Sequence, residues 1–155
     1  MKYTSRWNLN RGYMKLEAWQ SAQELTAIVT KILNRSTSRE FRVRSQIHDS
    51  AHSFPANIAE GYCRKSINEY IQFCYIALGS AGELMSRMVS IRLSEWIENA
   101  DFEEFDKKHF EAENKLLALV KSLEVKRREG TWIQELHEQP QSYSPKKSRK
   151  SKRLE

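Results

Sequence analysis

The stretch from residue 67 to residue 91 carries the pattern that most restricts the fold of this chain. Apolar or small side chains recur there at alternating intervals of three and four residues, which is the spacing of one face of an α-helix. The pattern lasts for about three heptads and comprises Ile67, Tyr70, Cys74, Ala77, Ala81, Leu84, Met88 and Ile91. Because a single helix cannot bury such a face alone, the stretch predicts a helix that packs against other helices.

Three other segments have the same helical periodicity. We predict helices over residues 16–34, 42–60 and 101–130. The 155 residues include only five glycines and three prolines, and 30% are charged, which favours amphipathic helices over sheet. We therefore expect an all-α fold, an antiparallel four-helix bundle with a kinked second helix. The expected domains are an N-terminal arm (1–13), the bundle (14–130) and a tail that is mostly disordered and basic (131–155).

Pro55 interrupts the apolar pattern of the second predicted helix. Proline has no N–H to donate to the carbonyl of Ala51, and its ring crowds that carbonyl, so we predict a kink. Gly61 is expected to end the helix in the left-handed conformation, which glycine adopts at no steric cost. Asn57 and Glu60 are expected to satisfy backbone groups at the kink or the turn. The alternative is that these two side chains form part of a binding groove.

Two capping-box patterns mark the starts of the third and fourth helices. Ser66 with Glu69, and Asp101 with Glu104, have the three-residue spacing at which side chains and backbone N–H groups bond reciprocally. Gly130 is expected to end the fourth helix. These signals leave only short connections between the helices.

The centre of the third helix is built of small residues. Gly79, Ser80, Ala81 and Gly82 follow one another, although glycine costs helix stability. We therefore expect this segment to let another backbone approach closely. Ser80 is not expected to be a catalytic nucleophile, because a nucleophile elbow requires a turn from a strand into a helix.

The charge is distributed unevenly along the chain. Residues 1–65 carry eleven Lys/Arg against five Asp/Glu, residues 66–138 nine against fourteen, and residues 139–155 six against one. The net charge is +6. A basic front, an acidic middle and a basic tail indicate an anionic partner, with charge-complementary contacts between parts of the chain as a further possibility.

Two basic groups are the candidate nucleic-acid-binding residues. Lysine and arginine contacts to phosphates release counterions and bind without sequence preference. The alternative is that these residues form a solvated face and a solubilising tail. The first group lies on the second helix and its flanks, and the second in the tail: Arg35, Arg39, Arg42, Arg44, Arg64 and Lys65, then Lys146, Lys147, Arg149, Lys150, Lys152 and Arg153.

No cofactor, metal or catalytic residue is expected. His48 and His52 resemble the zinc-protease pattern H-E-x-x-H, but Asp49 replaces the glutamate and no convincing third ligand follows. Cys63 and Cys74 form no CxxC motif, which favours a reduced, cytoplasmic setting. No apolar run approaches the roughly 18 residues of a membrane span, so no membrane partner is expected.

Three ordered motifs resemble those of a known family. Leu16-Glu17-Ala18-Trp19-Gln20 is similar to its L-x-x-W-Q opening. Residues 46–47 and 53–61 resemble its Q-I … S-I-P-x-N-I-A-E-G signature, and residues 76–84 its I-A-x-G-S-x-x-E-L motif. The family is that of the bacterial 23S rRNA intervening-sequence proteins. The resemblance covers residues 16–128 and departs at Phe54, usually isoleucine, and at His48-Asp49, where basic residues are common.

The resemblance implies a four-helix bundle that assembles as a ring, typically a homopentamer. It supplies no catalytic residues. A structurally similar protein is the accessory variability determinant of diversity-generating retroelements, a basic bundle that works with a reverse transcriptase and nucleic acid.

The first functional hypothesis is therefore a non-enzymatic, oligomeric protein that binds nucleic acid, RNA in preference to DNA. Two alternatives stay open. One is an accessory subunit of a retroelement reverse transcriptase, and the other is a structural or adaptor ring whose main partner is a protein.

Overall fold

A computed structural model describes residues 3–37 and 39–133. A 3-10 helix at Leu9–Lys15 precedes four α-helices: α1 (Glu17–Arg35), α2 (Phe41–Tyr62), α3 (Ile67–Leu93) and α4 (Asn99–Glu129). Within this part of the chain no strand occurs, so the expected all-α class is confirmed. The predicted tail lies outside the described residues from residue 134 onward.

The four α-helices surround one shared core. α1 packs against α2 and α4, and α3 also packs against α2 and α4, whereas α1 does not contact α3 and α2 does not contact α4. The apolar stripes predicted from the sequence supply this core. Its largest fully buried side chains come from all four helices and include Leu25, Ile32, Phe54, Ile58, Leu84, Met88, Phe105 and Leu116.

The helix termini follow the sequence signals in part. Ser66 caps α3 as expected, because its side-chain oxygen accepts a hydrogen bond from Glu69 N at 3.1 Å. Gly130 ends α4 in the left-handed conformation, with φ of 65°. The capping box at Asp101 was wrong: α4 begins at Asn99, and Asp101 lies in its first turn.

Gly61 does not end α2, which corrects the sequence-based expectation. The helix continues through Gly61 to Tyr62, and among the described glycines only Gly130 has a positive φ. Gly61 is required for a different reason. A Cβ at this position would lie 2.9 Å from Phe73 Cβ and 3.1 Å from the Tyr70 carbonyl oxygen. The missing side chain lets the end of α2 pack closely on the start of α3.

Gly79 does not admit a neighbouring backbone within the subunit. Gly79 and Gly82 are exposed, and a Cβ at either position would meet nothing within 4 Å. The close packing instead involves Ala77 and Ala81, which are completely buried. Ser80 lies on the same buried side, and its hydroxyl donates to Ser53 Oγ at 3.0 Å. Thus the small residues divide between the core face and the outer face of α3.

α2 passes through Pro55 as one helix. The Ala51 carbonyl, which proline cannot bond, accepts a hydrogen bond of 2.8 Å from Thr26 Oγ1 of α1. The Asn57 side chain does not bond the Ala51 carbonyl. Its Nδ2 instead donates to the Ser53 carbonyl at 2.8 Å. The kink itself stays a prediction.

Candidate nucleic-acid interface

The connections between the helices lie at two ends of the molecule. At one end Thr37 N, after α1, donates to the Trp96 carbonyl, after α3, at 3.0 Å. At the other end the Tyr13 ring, before α1, lies 6.3 Å from the Tyr62 ring at the end of α2. We call residues 35–37, 39–44 and 90–106 the acidic end. Residues 3–16, 60–69 and 124–133 form the basic end.

The two ends differ in charge. The acidic end contains five Lys/Arg against seven Asp/Glu, whereas the basic end contains eight Lys/Arg against four Asp/Glu. The acidic excess comes from the α3–α4 connection and the first turns of α4. Because the field of a surface is set by all its charges, the basic end is the more favourable of these two described surfaces for a polyanion.

The structure separates the six helix-flanking candidates into two groups. Arg35, Arg39, Arg42 and Arg44 lie at the acidic end, and Arg64 and Lys65 at the basic end. Arg42 and Arg44 lie in the first turn of α2, and Arg64 and Lys65 follow its last turn, so nearly the whole length of this helix, about 30 Å at the rise of an α-helix, separates the two groups. The two groups are therefore separate surfaces of one subunit. The tail candidates, Lys146 to Arg153, lie outside the described residues.

Two of these arginines already have acidic partners. Arg35 Nη2 lies 2.5 Å from Asp101 Oδ1 and 4.0 Å from Glu104 Oε2, and the hydrogen bond to Asp101 raises the pKa of Arg35. Arg64 pairs with Glu60, and its guanidinium lies 4.6 Å from the centre of the Phe73 ring. Glu60 is thus bound to a side chain one turn away rather than to the backbone at Pro55.

Six basic side chains at the basic end form no ion pair with the described residues. They are Arg6, Arg11, Lys15, Lys65, Lys126 and Arg128. Sequence reasoning selected only Lys65, because the others come from distant parts of the chain. The signal that was available is the run Lys126-Arg127-Arg128 in the last turn of α4, where cations also stabilise the helix dipole.

Aromatic rings accompany the basic side chains at this end. Trp7 is 50% exposed, and Lys15 Nζ lies 4.8 Å from the centre of its ring. Tyr13 packs edge-on against Trp19 at 5.3 Å, and Tyr62 against Tyr70 at 6.1 Å. Exposed aromatic rings among cations are the usual elements of single-strand binding, since bases stack on the rings.

The His48–His52 pair has no third metal ligand near it in the described part of the chain. The two rings stack with centroids 6.1 Å apart, and burial, followed by repulsion from His52 and Arg44, lowers the pKa of His48. Among residues 3–37 and 39–133 no group of three or more His, Cys, Asp and Glu side chains could hold a metal ion. That the pair binds no metal stays a prediction.

His109 of α4 is a fully buried polar side chain. Its Nε2 lies 2.7 Å from the Ala81 carbonyl oxygen, and its Nδ1 lies 3.3 Å from Glu113 Oε2. Ser80 bonds elsewhere, to Ser53 Oγ and the Ile76 carbonyl. These two residues therefore do not form a nucleophile–base pair.

No helix in the described part of the chain combines the length and the apolarity needed to cross a membrane.

The described residues contain four packed α-helices and no strand, so the protein belongs to the all-helical class. The family model for 23S rRNA-intervening sequence proteins matches residues 14–118, so the chain belongs to this family. The family expected from the sequence motifs is thereby confirmed. No curated protein matches the chain.

A solved structure has a similar fold. It is a protein with unknown function from the S23 ribosomal protein family of Bacteroides thetaiotaomicron VPI-5482. The TM-score is 0.62 at 23% identity, and the alignment covers 67% of this chain and 98% of that one. At this identity the likeness concerns the fold alone.

Proposed function

We propose that this protein is a non-enzymatic, oligomeric RNA-binding protein of the cytoplasm, and that it binds phosphates through its basic end and its tail. The observation that carries the proposal is the excess of Lys/Arg at the basic end, eight against four acidic residues. The preference for RNA over DNA rests on the family, whose name refers to intervening sequences of 23S rRNA.

The mechanism is electrostatic. Lys65, Lys126 and Arg128 are exposed and form no ion pair with the described residues, so they are available to phosphates. Each phosphate contact releases a counterion, which makes the affinity fall as salt rises. The described chain reaches the basic end at residue 133, and six Lys/Arg follow at 146–153. The basic tail thus follows directly on the basic end.

The proposed architecture is an antiparallel four-helix bundle. Contacts between α2 and α3 support it, because higher residue numbers in one helix pair with lower residue numbers in the other. Arg87 donates to Gln46 Oε1 at 2.9 Å, and Ser80 donates to Ser53 Oγ at 3.0 Å. A bend at Pro55 belongs to the same proposal.

Assembly into a ring, a homopentamer by family resemblance, would repeat the basic end and multiply its field. The outer face of α3 supports such an assembly. Its exposed residues include a stripe with the alternating four- and three-residue spacing of a coiled-coil seam. The stripe carries no charge and consists of Tyr75, Gly79, Gly82, Ser86, Val89 and Leu93.

The proposal is tested by RNA and DNA binding over a salt series, with the full chain and with a truncation ending at Glu138. We expect tighter binding to RNA and, on single strands, a log–log salt slope of about −0.7 per phosphate contacted. The double variant Lys65→Glu/Arg128→Glu should lose most of the affinity. Its matched control is Arg39→Glu/Arg42→Glu, the same charge change at the acidic end, which should lose little.

The outcomes separate the contributing surfaces. If the truncation loses most of the binding, the tail is the principal phosphate-binding arm. If the truncation binds and only the Lys65→Glu/Arg128→Glu variant fails, the basic end carries the function. Absence of salt-sensitive binding in every form would reject the RNA-binding proposal.

The alternative of an adaptor ring is favoured by a different observation. Phe41 and Leu93 at the acidic end are 83% and 79% exposed, and apolar side chains of that exposure are common at protein contacts. The accessory subunit of a retroelement reverse transcriptase stays a separate alternative. Capture of a polypeptide that resists nuclease treatment and is lost in Phe41→Ser, a change outside the α3 stripe, would support this alternative.

A further inference from the structure

A cavity of about 360 Å³ opens at the basic end. Its walls come from α2, α3 and α4, from Leu16 just before α1 and from the segment after α4, and they include Tyr62, Tyr70, Ser122, Leu123, Lys126 and Trp132. A volume of this size is within the range of small-ligand pockets, which is roughly 300–1,000 Å³. The cavity is therefore large enough to hold a planar ring system.

Tyr70 is the residue that points to a ligand. Its side chain is only 5% exposed and lines the cavity, yet its hydroxyl makes no hydrogen bond to the described residues. The hydroxyl oxygen is not among the fully buried atoms without a partner, which in the described residues are Ser21 Oγ and His109 Nδ1, so it is open to the cavity. The ring is held in place by the end of α2, since a Cβ on Gly61 would lie 3.0 Å from Tyr70 Cδ2. The hydroxyl is thus a fixed, unused donor and acceptor.

The other walls define the chemistry of the partner. Leu123 and the rings of Tyr62 and Trp132 provide apolar and aromatic surface, whereas Lys126 provides a cation that forms no ion pair with the described residues. Stacking surface, one hydrogen-bonding group and one cation match the three parts of a nucleotide: base face, base edge and phosphate.

We propose that this cavity receives one unpaired base of a bound RNA, with the Tyr70 hydroxyl on the base edge and Lys126 on the neighbouring phosphate. The inference rests on the proposed RNA-binding function and adds a preference for single-stranded over duplex RNA. A duplex keeps its bases stacked and paired, so it can reach the phosphate-binding side chains but cannot fill the cavity.

The test compares a short single-stranded oligoribonucleotide with a duplex of the same length on the full chain. Ser122→Trp fills the cavity from an exposed position on α4. Ala118→Trp adds the same side chain one turn away, outside the cavity. Because the new tryptophan would exclude the stacked base, we expect Ser122→Trp to weaken single-strand binding at least about fivefold. Single-strand binding by Ala118→Trp and duplex binding by both variants should stay unchanged.

Tyr70→Phe is the second variant, because it keeps the ring and removes only the hydroxyl. We expect about three- to tenfold weaker single-strand binding from the lost hydrogen bond. A 4-thiouridine oligonucleotide should cross-link to peptides containing Tyr62, Tyr70 or Trp132.

Two results would overturn the inference while leaving RNA binding intact. One is a single-strand affinity of Ser122→Trp and Tyr70→Phe equal to that of Ala118→Trp. The other is cross-linking confined to other peptides. If no form binds RNA, the proposed function and this inference are both rejected.

Discussion

The hydroxyl of Thr26 in α1 donates to the carbonyl oxygen of Ala51 in α2 at 2.8 Å. This carbonyl is the one that Pro55, four residues later, leaves without its helical N–H. Thr26 is buried and also bonds the Ala22 carbonyl of its own helix at 3.0 Å. One side chain therefore satisfies the backbone group that proline exposes and joins two helices.

Thr26→Val should destabilise the protein by about 1–3 kcal/mol, because it leaves the buried Ala51 carbonyl unsatisfied. Urea unfolding measures the change. Thr30→Val is the matched control, since its hydroxyl bonds only a carbonyl of its own helix, and it should cost less. In a Pro55→Ala background the N–H returns, and Thr26→Val should then cost clearly less than in the native background. Equal costs in the two backgrounds would contradict this account of the bond.

Gly61→Ala should destabilise the protein by about 1–3 kcal/mol through overpacking, because the new Cβ would lie 2.9 Å from Phe73 Cβ. Gly79→Ala is the opposite case. Its Cβ meets nothing within 4 Å, so helix propensity should stabilise the subunit by about 0.5–1 kcal/mol. Thermal unfolding of both variants checks the signs. A lower melting temperature for Gly79→Ala would indicate that a second subunit covers α3 there.

The pKa of His48 should lie below its ordinary value of 6.5, with burial as the main cause and His52 as the next. Since the unfolded chain then binds the proton more readily, the contribution of His48 to stability is complete above the unfolded pKa. It is lost as pH falls through 6.5 toward the folded pKa. An NMR titration of the imidazole measures this pKa. His52→Gln should raise it, and an unchanged value would exclude the repulsion.

Cys74 should resist alkylation in the folded protein. Burial raises the pKa of its thiol to about 12, so almost no thiolate forms near pH 8. Cys63 is half-buried, and burial followed by Glu60 raises its pKa as well. Iodoacetamide labelling followed by mass spectrometry should find Cys63 modified first and Cys74 modified only in denaturant. Equal rates would show that α3 opens locally at Cys74.

Most of the fold followed from local patterns. The apolar stripes, the Ser66 cap and the Gly130 terminus depend on neighbours within one or two helical turns, so periodicity and capping rules predict them. The wrong assignment at Gly61 and the open surroundings of Gly79 within the subunit have a common cause. Whether a glycine turns the chain, admits a neighbour or faces solvent depends on what lies opposite, and the sequence does not state that.

The candidate interface depended still more on the tertiary structure. The sequence by itself determined the family motifs, the helices and the presence of two basic groups. It grouped Arg39 and Arg42 with Lys65 because they share one helix and its flanks. Only the packing of the helices decided that α2 separates them and that Lys65 lies with Lys126 and Arg128 from the end of α4. The net charge of a surface depends on which helix ends the fold brings together, and those helix ends are distant in the sequence.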